Sequence, residues 1–234
     1  MITDEIKTAI LVDGGFYRNR AYTLMGEKSP VERAKELESY CKRLLIFSKY
    51  EKTLLYRIFY YDCCPSSKKV FQPLLKKTID LSKSSINKWM SEYLEELKKK
   101  RKFALRLGVL AEEQLRYNLK PSSLKALCNG KVSFENLQEY DFELNIVQKG
   151  VDMKIGVDIA SLAYKKQVDR IILISGDSDF VPAAKLARRE GIDFILDPML
   201  NHIRPDLFEH IDGIRTKAKP RQDKSVNAVP DSNI

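Results

Sequence analysis

The sequence is poor in cysteine and histidine and has no long apolar run. Four cysteines in 234 residues (Cys41, Cys63, Cys64 and Cys128) are too few and too irregularly placed for a disulfide framework. The adjacent pair Cys63-Cys64 lacks zinc-ligand spacing, and only two histidines are available to complete a site. Reduced thiols in a cytoplasmic protein are therefore expected. No apolar stretch approaches the ~20 residues that a membrane span requires. The opening Met1-Ile2-Thr3-Asp4-Glu5-Ile6-Lys7 lacks the basic region, apolar stretch and cleavage site of a secretory signal. Internal repeats and low-complexity tracts are also missing. An apolar fraction of 44% with 31% charged residues excludes a disordered or collagen-like chain. The length suits one large α/β domain, or one domain carrying a substantial insertion.

Positive charge is in excess, with a formal net of +9, and it is unevenly placed. Residues 61–131 hold 16 basic and 7 acidic side chains, a net of +9, whereas residues 151–234 hold 13 of each. The densest run is Lys98, Lys99, Lys100, Arg101 and Lys102. It reads either as a solvated helix end or as an electrostatic footprint for a polyanion.

Short apolar runs ending in glycine or a carboxylate mark buried parallel strands at 8–13, 54–61, 170–175 and 192–196. Helical spacing of apolar residues predicts helices over 30–50 and 151–167, another from about 178 to 189, and a long Lys-rich one over roughly 67–100. Residues 102–110 and 144–148 are weaker strand candidates. Alternation of strand and helix with short turns predicts an α/β fold with a mainly parallel sheet covered on both faces. In such folds, sites lie at the carboxyl ends of the strands. The expected organisation is one domain over 1–216, with a Lys-rich, largely helical insertion at about 63–140 and a disordered tail over 217–234.

That rule turns scattered carboxylates into a constellation. Asp13 ends the first strand, Asp177 and Asp179 follow the strand ending at Ser175, and Asp152 opens a helix on the same sheet edge. Asp62 and Asp197 end two further strands. Any one of these is an ordinary helix cap or turn former. Several together are hard to keep ionised without a cation, because like charges raise each other's pKa. Hard cations such as Mg²⁺ or Mn²⁺ take a few carboxylate oxygens and leave other positions to water and phosphate. The chemistry indicated is metal-assisted phosphoryl transfer to water.

Three segments also carry a family resemblance: Ile10-Leu11-Val12-Asp13-Gly14, Lys149-Gly150-Val151-Asp152 with Asp158, and Ile174-Ser175-Gly176-Asp177-Ser178-Asp179-Phe180. In this order and spacing they resemble the NYN domain, the branch of PIN-like nucleases that includes bacterial LabA-like proteins. The resemblance runs from about residue 7 to 215 and is loosest in the Lys-rich middle. It implies a PIN-like three-layer α/β/α fold and a metal-dependent endonuclease, acting on RNA ahead of DNA, with Mg²⁺ or Mn²⁺ held by acidic residues. Asp13, Asp152 and Asp177 become the leading metal ligands and catalytic residues, with Asp179 beside them. Many relatives carry Asn three residues after the first Asp; this sequence has Phe16 there, and Asn19 is the candidate substitute.

Around this set, Lys149 is either a phosphate contact or a solvated loop lysine, and Ser175 bonds a water or phosphate or stabilises its turn. Asp158 matches a family position, yet six helical residues place it ~9 Å along the axis and about 120° round from Asp152. It is expected as a supporting group or a helix–sheet anchor. Arg18 and Arg20, with the basic run 98–102, are candidate nucleic-acid contacts, while Tyr17 is a stacking or packing residue. Trp89, Tyr93 and Leu97 recur at helical spacing and are expected in the core. A haloacid-dehalogenase-like phosphatase is excluded because Gly15 occupies the place of its second Asp and the interval from Asp177 to Asp179 is wrong. A receiver-like domain would be shorter. The alternative from another class is a nucleic-acid-binding regulatory module with little catalysis. Nucleic acid is the expected partner, without a membrane, and a homodimer is left open.

Overall fold

The computed structural model describes residues 5–220. In chain order the elements are β1 (Ile6–Asp13), α1 (Gly14–Met25), α2 (Pro30–Leu44), β2 (Thr53–Cys63), β3 (Lys69–Gln72), β4 (Lys77–Asp80), α3 (Ser85–Lys98), β5 (Phe103–Leu110), β6 (Arg116–Leu119), α4 (Pro121–Cys128), β7 (Phe142–Asn145), β8 (Gln148–Lys149), α5 (Val151–Tyr164), β9 (Arg170–Ile174), α6 (Val181–Arg189), β10 (Asp193–Asp197), α7 (Pro205–Phe208) and β11 (Gly213–Ile214).

Seven strands form the main sheet, in the order β11-β10-β9-β1-β2-β5-β8. Every neighbouring pair is parallel except β5 and β8. The central strands are wholly apolar where they are covered on both faces: Ala9, Ile10, Leu11 and Val12 of β1 and Ile171 to Ile174 of β9 are fully buried. Successive side chains of β1 point to opposite faces. Ala9 and Leu11 join Ile155 and Ile159 of α5 and Ala184 of α6. Ile10 and Val12 join Tyr17 of α1, Leu37 and Tyr40 of α2 and Tyr93 and Leu97 of α3. The expected mainly parallel sheet is therefore present, with apolar clusters on both faces.

Local signals set the helix starts. Ser29 and Glu32 form a reciprocal capping box ahead of Pro30 in α2. Ser84 accepts from Asn87 N–H at the start of α3. Gly150, at φ 79°, takes the left-handed conformation that turns β8 into α5.

The middle of the chain departs from expectation. The stretch 67–100 opens as the antiparallel hairpin β3–β4, and only its second half is helical. Pro73 and the left-handed Lys76 (φ 49°) break any continuous helix there. Nor is 63–140 a single appendage. Strand β5 lies within the main sheet, and α3 packs into its core. What stands apart is the pair of ribbons β3–β4 and β6–β7, which share a small core of Val70, Leu81 and Leu115. Helix α1, absent from the helices expected above, follows Asp13 directly. The expected tail falls largely on 221–234, outside the described residues. Among the described residues no helix is long and apolar enough to cross a membrane.

Candidate active site

The carboxyl ends of β1 and β9 place Asp13 and Ser175 side by side. Asp13 caps α1, its Oδ1 accepting from Phe16 N–H at 3.0 Å. Its Oδ2 accepts from Ser175 Oγ at 3.4 Å, and Asp177 N–H donates to the same Oγ at 3.3 Å. Asp177 in turn caps the 3₁₀ turn Ser178–Phe180, accepting from Asp179 N–H at 3.0 Å. Gly176 is required between them. A Cβ there would lie 2.7 Å from the Phe16 ring and 3.2 Å from the Asn201 side-chain nitrogen. Asp152 is the second residue of α5 and is exposed.

Electrostatics join these residues. Partial loss of solvent around the exposed Asp152 carboxyl raises its pKa above the ordinary value, and the charges of Asp177 and Asp179 raise it further. Asp13 is also raised, first by burial; the Phe16 N–H opposes that rise and the charge of Asp152 adds to it. Asp152 thus links Asp13 to Asp177 and Asp179, although no three His, Cys, Asp or Glu residues among those described lie close enough to hold a metal ion. In donor chemistry the set fits Mg²⁺ or Mn²⁺. It offers hard oxygens only, its repulsion is of the kind a cation relieves, and Mg²⁺ needs just one or two carboxylates beside water and phosphate.

The other expected site residues are distributed more widely. Lys149 pairs with exposed Glu113 at 2.7 Å. Asp158 accepts from Tyr61 Oη at 2.8 Å and from Arg106 Nε at 2.9 Å, tying α5 to β2 and β5. Asn19 is exposed and its carbonyl accepts from Thr23 Oγ1. Arg20 donates through Nε and Nη2 to the Met199 carbonyl at 3.2 and 3.0 Å. Tyr17, Tyr93 and Leu97 are fully buried, and Trp89 stacks on Tyr93 with centroids 5.0 Å apart.

The basic run 98–102 is not brought to the carboxylates. It follows the carboxyl end of α3 and leads into the amino end of β5, so it occupies the opposite edge of the parallel sheet. Four of its cations are already engaged: Lys98 with Glu95, Lys99 with Glu96, Lys100 with Glu38, and Lys102 with the Leu55 carbonyl. Arg101 is exposed. The run and the acidic pocket lie on opposite edges because a helix crossing back between parallel strands returns its carboxyl end to the amino edge.

The two remaining strand-end carboxylates have partners that the sequence did not reveal. Asp62, 1% exposed, forms an ion pair with Arg18 of α1; it also accepts from Tyr60 Oη at 2.8 Å and Cys63 N–H at 2.8 Å. Asp197 accepts from Tyr40 Oη at 2.6 Å and from Met199 N–H at 2.9 Å. It secures a turn in which Met199 and Leu200 both have positive φ, which places Asn201 beside Gly176. The strand-end positions of Asp62 and Asp197 were visible in the sequence, whereas their partners, distant along the chain, were not.

Comparison with known proteins adds the following. Residues 80–202 match the NYN domain, a span that includes Asp152, Asp177 and Asp179 and leaves Asp13 outside. No curated protein matches. A solved structure of a protein of unknown function from Vibrio parahaemolyticus aligns with a TM-score of 0.45 at 16% identity, covering 92% of this chain and 94% of that one. A noncanonic maltogenic alpha-amylase from Thermotoga neapolitana aligns with a TM-score of 0.22 at 10% identity, covering 91% of this chain and 49% of the other. Neither likeness is strong enough to bear on fold or function.

Proposed function

The chain belongs to the NYN domain family, whose members are generally nucleases, and on that premise we propose that it is a metal-dependent endonuclease that hydrolyses phosphodiester bonds. RNA is favoured over DNA on the strength of the family alone. The finer placement we propose is the LabA-like branch of the PIN-like superfamily, with its three-layer α/β/α arrangement and a cytoplasmic location. A homodimer is compatible with this reading.

The observation that carries it is the gathering of carboxylates at the carboxyl edge of the sheet, where the charge of Asp152 raises Asp13 and the charges of Asp177 and Asp179 raise Asp152. A site of pure binding gains nothing by presenting several negative charges to a phosphate backbone. Of Asp13, Asp152, Asp177 and the adjacent Asp179, one or two would hold Mg²⁺ or Mn²⁺ directly and the others through its bound waters. When bound, the ion would neutralise charge on the phosphoryl centre and activate a water. The protein's part is orientation. Ser175 donates to Asp13 and accepts from Asp177 N–H, so one hydroxyl links the ends of β1 and β9. Asp13 and Asp152 must both be ionised to hold a cation, and their raised pKa values move that requirement toward neutral pH. Lys149, three residues before Asp152, would meet phosphate, and Arg18, five residues after Asp13, would meet the nucleic acid.

The test is a panel of labelled single- and double-stranded RNA and DNA incubated with Mn²⁺, comparing wild type with Asp177→Asn. Cleavage that requires the metal and disappears in the variant is expected. Salt-sensitive binding without cleavage of any panel member would replace this reading with that of a regulatory binding module.

A further inference from the structure

Between the two ribbons, the start of α3 and the carboxyl ends of β2 and β5 lies a cavity of about 320 Å³. Its walls are largely apolar, formed in part by Ile79, Leu115, Leu144 and Met90, and the Arg18–Asp62 pair also lines it. The volume lies within the range of small-ligand pockets, and apolar walls with a few placed polar groups are the usual composition of such sites. The polar end is not spent on the protein itself. Arg18 makes both its contacts, to Tyr60 and Asp62, through Nη1, and its Nε and Nη2 have no partner among the described residues. Asp62 is saturated by Arg18, Tyr60 Oη and Cys63 N–H and holds the guanidinium fixed.

The position of the cavity identifies its occupant. Asp62 follows Tyr61, the residue that pairs with Asp13 across the neighbouring strands, and Gly14, next to Asp13, approaches Asp62 closely, so the cavity adjoins the carboxylate edge. Arg18 also lines a second hollow, of about 390 Å³, whose walls include Tyr22, Trp89, Lys28 and Arg33. Lys28 and Arg33 are paired with Glu36 there, so Arg18 and the two aromatic faces form the surface on which a single strand would stack. We propose that the first cavity receives one nucleobase of a single-stranded substrate, everted beside the scissile phosphate, with Arg18 bonding a carbonyl on its edge. Guanine, uracil and cytosine carry such a carbonyl and adenine does not, so adenine is disfavoured. This rests on the nucleic-acid reading above and adds to it a base preference and the residues that impose it.

The experiment measures binding without metal, so that it stands apart from cleavage. Fluorescence anisotropy in EDTA would compare oligoribonucleotides of about six uridines, of adenosines, and of abasic ribose units. Uridine is expected to bind about tenfold more tightly than the abasic strand, with adenosine between them. Ile146→Trp, at the half-exposed rim, and Ile79→Trp, in the wall, should each remove the difference between uridine and abasic strands while leaving thermal unfolding unchanged. A measurement without substitution accompanies them. Cys64 lines the cavity and is exposed, so its alkylation should slow in the presence of the uridine strand while that of exposed Cys128 does not. Equal affinity for uridine and abasic strands, or no protection of Cys64, would overturn the pocket. Base-dependent binding without cleavage in Mn²⁺ would keep the pocket and remove the nuclease.

Discussion

Gly14 and Gly15 are adjacent in sequence and both lie in the first turn of α1, yet the structure demands opposite outcomes when each is replaced by Ala. A Cβ on Gly14 would lie 2.5 Å from Asp62 Oδ2 and 2.6 Å from Tyr60 Oη. Neither atom can withdraw, since Tyr60 is fully buried and Asp62 is 1% exposed and paired to Arg18. Overpacking of this kind costs about 1–3 kcal/mol, and disturbing a hydrogen bond to a buried charge costs about 1.5–3 kcal/mol. The two are coupled and not additive, and Ala recovers some chain entropy, so the net loss should be about 2–4 kcal/mol. A Cβ on Gly15 meets nothing closer than Asp13 Oδ1 at 3.6 Å, ordinary contact. Gly15→Ala should therefore be neutral or stabilising by up to about 1 kcal/mol. Urea unfolding of the two variants, with unchanged m-values, measures the gap. If both lie within about 0.5 kcal/mol of each other, the close approach of α1 to the Arg18–Asp62 pair is wrong.

Three further outcomes are expected. Burial raises Asp197 to about 6, against about 3.9 for an unperturbed Asp. Between those values the unfolded chain ionises and the folded one does not, so about 3 kcal/mol of stability is lost as pH rises. Asp197→Asn removes that loss, and its stability relative to wild type should climb by this amount from pH 4 to 7; a gap that stays constant counts against the buried carboxyl. Asp158→Ala should cost about 1–3 kcal/mol in unfolding, because it strands the buried Tyr61 hydroxyl, while Mn²⁺ affinity by calorimetry stays unchanged. Joint replacement of Lys98 and Lys99 by Gln should leave the affinity for a strand of about six nucleotides intact. Weakened binding would place the nucleic acid across the far edge of the sheet.

How far the sequence foretold this depends on the range of the interaction. β9 and the end of β1 stood out because burial on both faces demands unbroken apolar runs, and Asp13, Asp152 and Asp177 could be placed once strand ends were known. The hairpin over 69–80 did not stand out: Phe71, Leu74 and Leu75 happen to fall at helical spacing, and only Pro73 argued otherwise. Helix α1 was hidden because its apolar residues form no clear stripe and its first residues are two glycines. The Arg18–Asp62 pair joins residues of different elements and leaves no local signature. Placing the basic run 98–102 required topology, since charge density says nothing about which end of a strand it adjoins.

The two end strands of the sheet also bear on how copies of this chain behave toward one another. β11 and β8 each pair through only two residues, so among the described residues most of β5 presents its outer backbone without a neighbouring strand. Unpaired edges of this length invite the strands of another molecule. Arg106, in the middle of β5, keeps 42% of its side chain exposed even while it binds Asp158. A long charged side chain at that point obstructs edge-to-edge stacking, so the residue that anchors α5 also guards the sheet against aggregation. Replacing it with an apolar residue would preserve the strand and give up that protection, visible as light scattering on concentration.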